Sequence, residues 1–249
     1  MPLISAAALI ITTVFLTSFV SGIFGMAGGL ILMGVLVALV GVAQAMIVHG
    51  IIQMFANGYR AYRLRSYIIW PVFGFYCLGA VAGIGLLIFV SWTPDRRMVY
   101  LMLGLVPLLL WLPKDFLKLN IERPAQSILA GVCVQALNTL VGVAGPLLDI
   151  FFVRSSMGRH QIVATKSVAQ SLSHLVKASF WSLPVITQAG WGAMPPLWLF
   201  IIALPVSMFG TQLGGLVLQR MTDQGFRRWI RGLVTIVGSI FLLRAAGLY

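Results

Sequence analysis

Two runs of polar residues sit inside long apolar segments at helical spacing. His49, Gln53 and Asn57 recur at intervals of four, and so do Lys166, Gln170 and His174. A side chain four residues along an α-helix lies one turn on, over the same face, so each run lays three polar groups in one stripe. Amides and imidazoles arranged this way can hydrogen-bond an anion, and the Lys166 ammonium can balance its charge. Each group also has a plainer use. Amides join membrane helices to one another, and Lys166 could pair with Asp149 or reach back to the membrane surface. His49 and His174 titrate near neutral pH and could exchange protons, yet a buried imidazole can also be a satisfied polar group. Asp149 itself is expected to pair with Arg154.

Two glycine clusters, Gly25-Met-Ala-Gly-Gly29 and Gly142-Val-Ala-Gly-Pro146, interrupt the apolar stretches 4–40 and 125–153. A break in a helix frees backbone groups that lipid cannot satisfy, so the backbone there must be buried in protein or line a wet cavity. Where a helix restarts at Gly28-Gly29 or Gly145-Pro146, its first N–H groups lack partners and carry partial positive charge; proline is tolerated at such a start. Two of these tips approaching from opposite faces would cradle an anion. The expected binding set is therefore Gly25, Gly28, Gly29, His49, Gln53, Asn57, Gly142, Gly145, Pro146, Lys166, Gln170 and His174. Glycines can also serve close helix packing alone, and that is the reading given to Gly79, Gly83, Gly210 and Gly214.

The elements that would position these groups are membrane helices. Of 249 residues 60% are hydrophobic and 9% charged, with a mean hydropathy of +1.00. Soluble domains carry about 25% charged residues, so this surface cannot face water all round. No Asp, Glu, Lys or Arg precedes Arg60. Crossing a bilayer takes about 20 apolar residues, and such segments fall at 44–60, 67–90, 97–112, 160–181, 195–218 and 228–247. The chain is expected to be an all-α polytopic membrane protein. Its first apolar run lacks a basic leader region and is read as retained structure. Cys77 and Cys133 lie singly in apolar runs and are read as packing residues.

The net charge of +12 comes in short clusters between spans, with no basic stripe carrying interleaved aromatics. That pattern excludes nucleic acid as the expected partner and fits the positive-inside rule, with attraction to anionic lipid. If Arg60, Arg63 and Arg65 face the cytoplasm and both broken stretches are re-entrant hairpins, Lys114, Lys118, Arg123, Arg154, Arg159 and the cluster Arg220, Arg227, Arg228, Arg231 also lie inside. Arg96, Arg97 and Arg244 lie outside, with Lys177 near the outer end of its helix, and both termini face the periplasm. The limb from Leu147 to Arg154 is too short to cross at about 1.5 Å per residue.

A shift of 117 residues aligns Gly25 with Gly142, Gly28 with Gly145, Gln53 with Gln170 and Arg60 with Lys177. A shift of 131 aligns Gly79 and Gly83 with Gly210 and Gly214, and Arg96-Arg97 with Arg227-Arg228. The expected organisation is two inverted repeats, 1–117 and 118–249, each a broken re-entrant hairpin followed by three transmembrane helices. An odd number of crossings per repeat inverts the second, as in many transporters with broken helices near the midplane.

The glycine cluster at 25–29, its return as Gly145-Pro146, and Ala164-Thr165 in the helix that follows resemble the TauE/SafE sulfite-exporter family, also called the toluene-sulfonate uptake permeases. The resemblance spans both halves. It implies a bacterial inner-membrane carrier of a small sulfur-containing oxyanion, such as sulfite or an organosulfonate. Asp149 departs from what an anion path would favour. No cofactor is called for, and a homo-oligomer is left open. The chain has no GxxxxGK[ST] motif to hydrolyse nucleotide itself, although it could serve as a permease subunit beside a separate ATPase. An intramembrane enzyme is disfavoured, because five acids and three histidines, none at HExxH spacing, offer little catalytic material.

Overall fold

The computed structural model describes residues 3–24, 26–90, 94–111, 119–152, 154–221 and 223–248. Gly25 of the expected site and the charge markers Lys114 and Lys118 lie outside the described residues. Those described form ten α-helices: α1 Leu3–Phe24, α2 Met26–Val40, α3 Val42–Arg63, α4 Trp70–Val90, α5 Arg96–Leu105, α6 Pro124–Val141, α7 Gly145–Phe152, α8 Arg159–Ala189, α9 Leu197–Leu218 and α10 Asp223–Ala245. No strand occurs among them.

The helix boundaries follow local chemistry. Pro124 starts α6, where its missing N–H would have been unpaired anyway. α6 ends at Gly142, whose φ of 90° is open to glycine and strained for other residues; its N–H donates to the Asn138 carbonyl at 2.9 Å. α7 then has eight residues, or about 12 Å of helix, against about 27 Å for α6. The two helices are therefore unequal, α6 of near-spanning length and α7 less than half as long. The base of the pair is tied where Glu122 accepts from the Ser156 N–H at 2.8 Å and the Ser156 hydroxyl at 2.7 Å, bonds that hold its carboxyl below the usual carboxylate range. In the first hairpin α1 has 22 residues and α2 has 15.

Among the described residues α4, α6 and α9 are long and apolar enough to cross a membrane. α4 and α9 turn Leu78, Val81, Phe89, Ile201, Phe209 and Leu216 outward, fully or largely exposed. So wide an apolar surface suits lipid and not water. α3 and α8 are long as well, at 22 and 31 residues. They carry the polar stripes and pack antiparallel along most of their length, so that the polar faces are buried between them. The other principal pairs are α1 with α9, α4 with α6, and α5 with α10.

Small residues set the α4–α6 and α1–α9 contacts. A Cβ added at Gly79 would overlap the Ile128 carbonyl, and one at Gly131 the Tyr76 carbonyl. Gly22 and Gly214 stand in the same relation to Thr211 and Phe19. Without water to drive apolar contact, such close backbone approach supplies the dispersion that holds membrane helices together. Polar cross-links add to it: Ser18 donates to the Ser207 hydroxyl at 3.0 Å, Ser127 to the Val72 carbonyl at 2.9 Å, and Ser171 to the Met54 carbonyl at 2.9 Å.

Candidate functional site

The facing stripes of α3 and α8 enclose a cavity of about 140 Å³. His49, Gln53 and Asn57 reach it from α3, and Lys166, Gln170 and His174 from α8. Helical spacing places each trio on one face, and antiparallel packing of the two helices turns the trios towards each other. Gly29 in the first turn of α2 and Gly145 at the start of α7 complete the ends from the hairpins. Of the expected set, these eight line the cavity.

The remaining glycine-cluster positions have other surroundings. A Cβ at Gly28 would overlap the Thr17 carbonyl and lie 2.7 Å from the Ser21 Cβ, so this glycine lets α2 pack against α1. Gly142 caps α6 and offers its carbonyl to Lys177 at 2.9 Å. Pro146 is buried in the first turn of α7, beside the cavity and not on it.

The structure also brings in residues that sequence reasoning passed over. Arg60, read only as a charge marker at the end of the span 44–60, lies in the last turn of α3 and lines the cavity. Ser21 from α1 and Asn138 from α6 line it as well, and an offset of 117 makes them equivalents. The Asn138 side-chain nitrogen lies 3.5 Å from His174 Nδ1, while its oxygen is buried without a hydrogen-bond partner. An unsatisfied polar group on a cavity wall is a position from which water or a solute can be held. Lys177, placed near an outer helix end, lies mid-helix because α8 continues through Pro184 to Ala189, and it is fully buried.

Hydrogen bonds define the closed end of the cavity. His49 Nε2 lies 3.0 Å from the Gly29 carbonyl. A carbonyl can only accept, so Nε2 carries the proton and Nδ1 is left to accept from the Lys177 ammonium at 2.7 Å. The His49 and His174 rings meet edge-on with centroids 5.4 Å apart. Beyond them Trp181 Nε1 donates to the Thr139 carbonyl at 2.8 Å.

Asp149 is ion-paired with Lys166, the plainer use that the sequence allowed for that lysine. The pair is about three-quarters buried, so each member relies on the other for its charge. Lys166→Gln alone should therefore destabilise the protein by stranding Asp149, and Lys166→Gln with Asp149→Asn should recover much of the loss. Thermal unfolding in detergent checks this. A double variant no more stable than the single would show that the carboxylate does not depend on the lysine.

The charge balance of the site is one-sided. Arg60 and Lys166 line the cavity, no carboxylate does, and Arg60 has no carboxylate partner among the described residues. The first turn of α7 adds the partial positive charge of a helix start, since Val143, Ala144 and Gly145 lie on the wall. Such a chamber can take an anion, giving its oxygens a guanidinium, an ammonium and several amide and hydroxyl donors. A family model described as Sulfite exporter TauE/SafE matches residues 10–241. No curated protein and no solved structure matches the chain.

Proposed function

The chain belongs to the sulfite exporter TauE/SafE family, and from that membership and the charge of the cavity we propose that it is a secondary transporter of a small sulfur-containing oxyanion. The observation that carries this reading is a chamber lined largely by polar residues that holds Arg60 with no carboxylate partner among the described residues. Desolvating a lone cation is costly unless an anion completes the site. At about 140 Å³ the cavity is small, which suits sulfite or a short sulfonate better than an aromatic one. In this reading the protein sits in the bacterial inner membrane, a location that family membership and the bias of basic clusters support.

Alternating access around the site follows if the two halves are inverted repeats, and the packing supports that arrangement. Exchanging α1–α5 for α6–α10 in order turns the α1–α9 pair into the α6–α4 pair and returns α3–α8 and α5–α10 to themselves. The contacts correspond in detail. Gly83 faces the Val132 carbonyl and the Gln135 Cβ, and Gly210 faces the Phe15 carbonyl and the Ser18 Cβ. Phe15 and Ser18 are related to Val132 and Gln135 by the offset of 117. The matching of Gly83 with Gly210, like that of the helix starts Trp70 with Leu197 and Arg96 with Asp223, gives 127 for the later helices. This register is one helical turn from the 131 that glycine and arginine matches alone favour. The sequence halves 1–117 and 118–249 then serve as the two repeats.

The purified chain in liposomes should accumulate labelled sulfite down its gradient without nucleotide, and unlabelled sulfite should compete. Uptake that requires an added ATP-hydrolysing partner would replace secondary transport with a subunit role, and no uptake of any small oxyanion would sink the reading.

A further inference from the structure

Lys177 is fully buried but does not line the cavity. Its ammonium is held by two neutral acceptors, His49 Nδ1 and the Gly142 carbonyl, and among the described residues no carboxylate reaches it. Taking an ammonium out of water without a counter-charge is costly. Capping the end of α6 does not need a full charge, since a neutral donor can satisfy the Gly142 carbonyl.

The position of Lys177 relative to Arg60 suggests a use for that charge. The offset of 117 relates Lys177 to Arg60, Lys166 to His49 and His174 to Asn57. The contact between Lys177 and His49 is thus the counterpart of the juxtaposition of Arg60 and Lys166. The two ends of the α3–α8 pair differ in access. At the Arg60 end the cavity rim includes Val163, which is 40% exposed. At the other end His49, Lys177, Thr139 and Trp181 are all buried, and the Trp181 bond to Thr139 lies across that end.

We propose that Lys177 is a second anion-binding cation, which serves the opposite face of the membrane. When the α3–α8 pair opens at its end, Lys177 leaves His49 and the Gly142 carbonyl and meets the anion as Arg60 does at the end now open, while the Arg60 end closes. The exchange is favourable in kind, because a hydrogen bond from an ammonium to an oxyanion is stronger than one to a neutral acceptor. The inference rests on the transporter reading above, and it assigns one cation to each direction of access.

The test compares wild type, Arg60→Gln and Lys177→Gln in proteoliposomes of known orientation, reading the half-saturating sulfite concentration from each face separately. Arg60→Gln should raise it about tenfold or more from the face that carries Arg63 and Arg65. Lys177→Gln should do the same from the opposite face, with a change under about threefold from the first. Equal shifts on both faces, or none, overturn the inference while sulfite transport by wild type keeps the transporter reading. A wild type that carries no oxyanion overturns both. A second measurement leaves Lys177 in place: a membrane-impermeant amine-reactive reagent is applied to each face during turnover, and modified lysines are read by peptide mass spectrometry. Lys177 should react from the face opposite Arg63 and Arg65, and saturating sulfite should protect it. A Lys177 that stays unmodified from both faces overturns the proposal even if Lys177→Gln fails to fold.

Discussion

Replacing Arg60 by glutamine is expected to weaken oxyanion binding by about ten- to a hundredfold while the protein stays folded, since charge-assisted hydrogen bonds contribute on the order of 1.5–3 kcal/mol and about 1.4 kcal/mol is tenfold. Arg60 lines the cavity near the end of α3 and has no carboxylate partner among the described residues, so its full charge is available to a bound anion. Glutamine keeps a hydrogen-bond donor but loses the charge and the planar fork that can grip two oxygens at once. Arg60→Lys should fall between the two. Lys166→Gln with Asp149→Asn should weaken binding less than Arg60→Gln, because Asp149 already offsets the charge of Lys166. Calorimetric titration of sulfite into the purified variants decides the order. Unchanged affinity in folded Arg60→Gln would remove the arginine from the site.

Gly79→Leu is expected to abolish the folded protein, whereas Gly85→Leu on the same helix should be nearly neutral. At Gly79 even a Cβ would run into the Ile128 carbonyl, and it would lie 3.0 Å from the Gly131 Cα. Backbone atoms cannot swing aside as a side chain can, so α4 and α6 would have to part along their whole contact. Overpacking a core costs about 1–3 kcal/mol even where side chains can adjust, and here a larger loss is expected. At Gly85 nothing lies within 4 Å of the added Cβ. Gly214→Leu should behave like Gly79→Leu, because its Cβ would meet the Phe19 carbonyl of α1. Size-exclusion profiles of fluorescent fusions in mild detergent, followed by thermal unfolding, separate the cases. A monodisperse Gly79→Leu with unaltered thermal stability would mean that α4 and α6 do not approach so closely.

Much of the cavity was legible in the sequence because its information is periodic. Four-residue spacing sets which side chains share a helix face, and that alone grouped His49 with Gln53 and Asn57, and Lys166 with Gln170 and His174. Composition settled the helical, membrane-borne class, since a chain this poor in charge cannot present a soluble surface. The glycine clusters marked where helices break, and the structure turns both Gly142 and Gly145 into helix ends.

Periodicity gives the angle between two residues of one helix, but not which way the helix is rotated against its neighbours. Packing decided that Gly29 faces the cavity while Gly28 takes up the closeness of α1 and α2. It also turned Ser21 and Asn138 to the same chamber from two different limbs. Charge is ambiguous for a related reason. Near the end of an apolar stretch an arginine or lysine reads as a marker of the water boundary, as Arg60 and Lys177 do. Whether such a group lies in a loop or inside the protein depends on how far its helix runs and on what stands opposite. α3 extends to Arg63 and α8 to Ala189, so both cations fall within helices that face each other. Asp149 met Lys166 because the short α7 folds back beside α8. Sequence determined which groups the membrane would force to find partners; the crossing of helices distant in the chain decided which partners they found, because those contacts form only when separate segments pack.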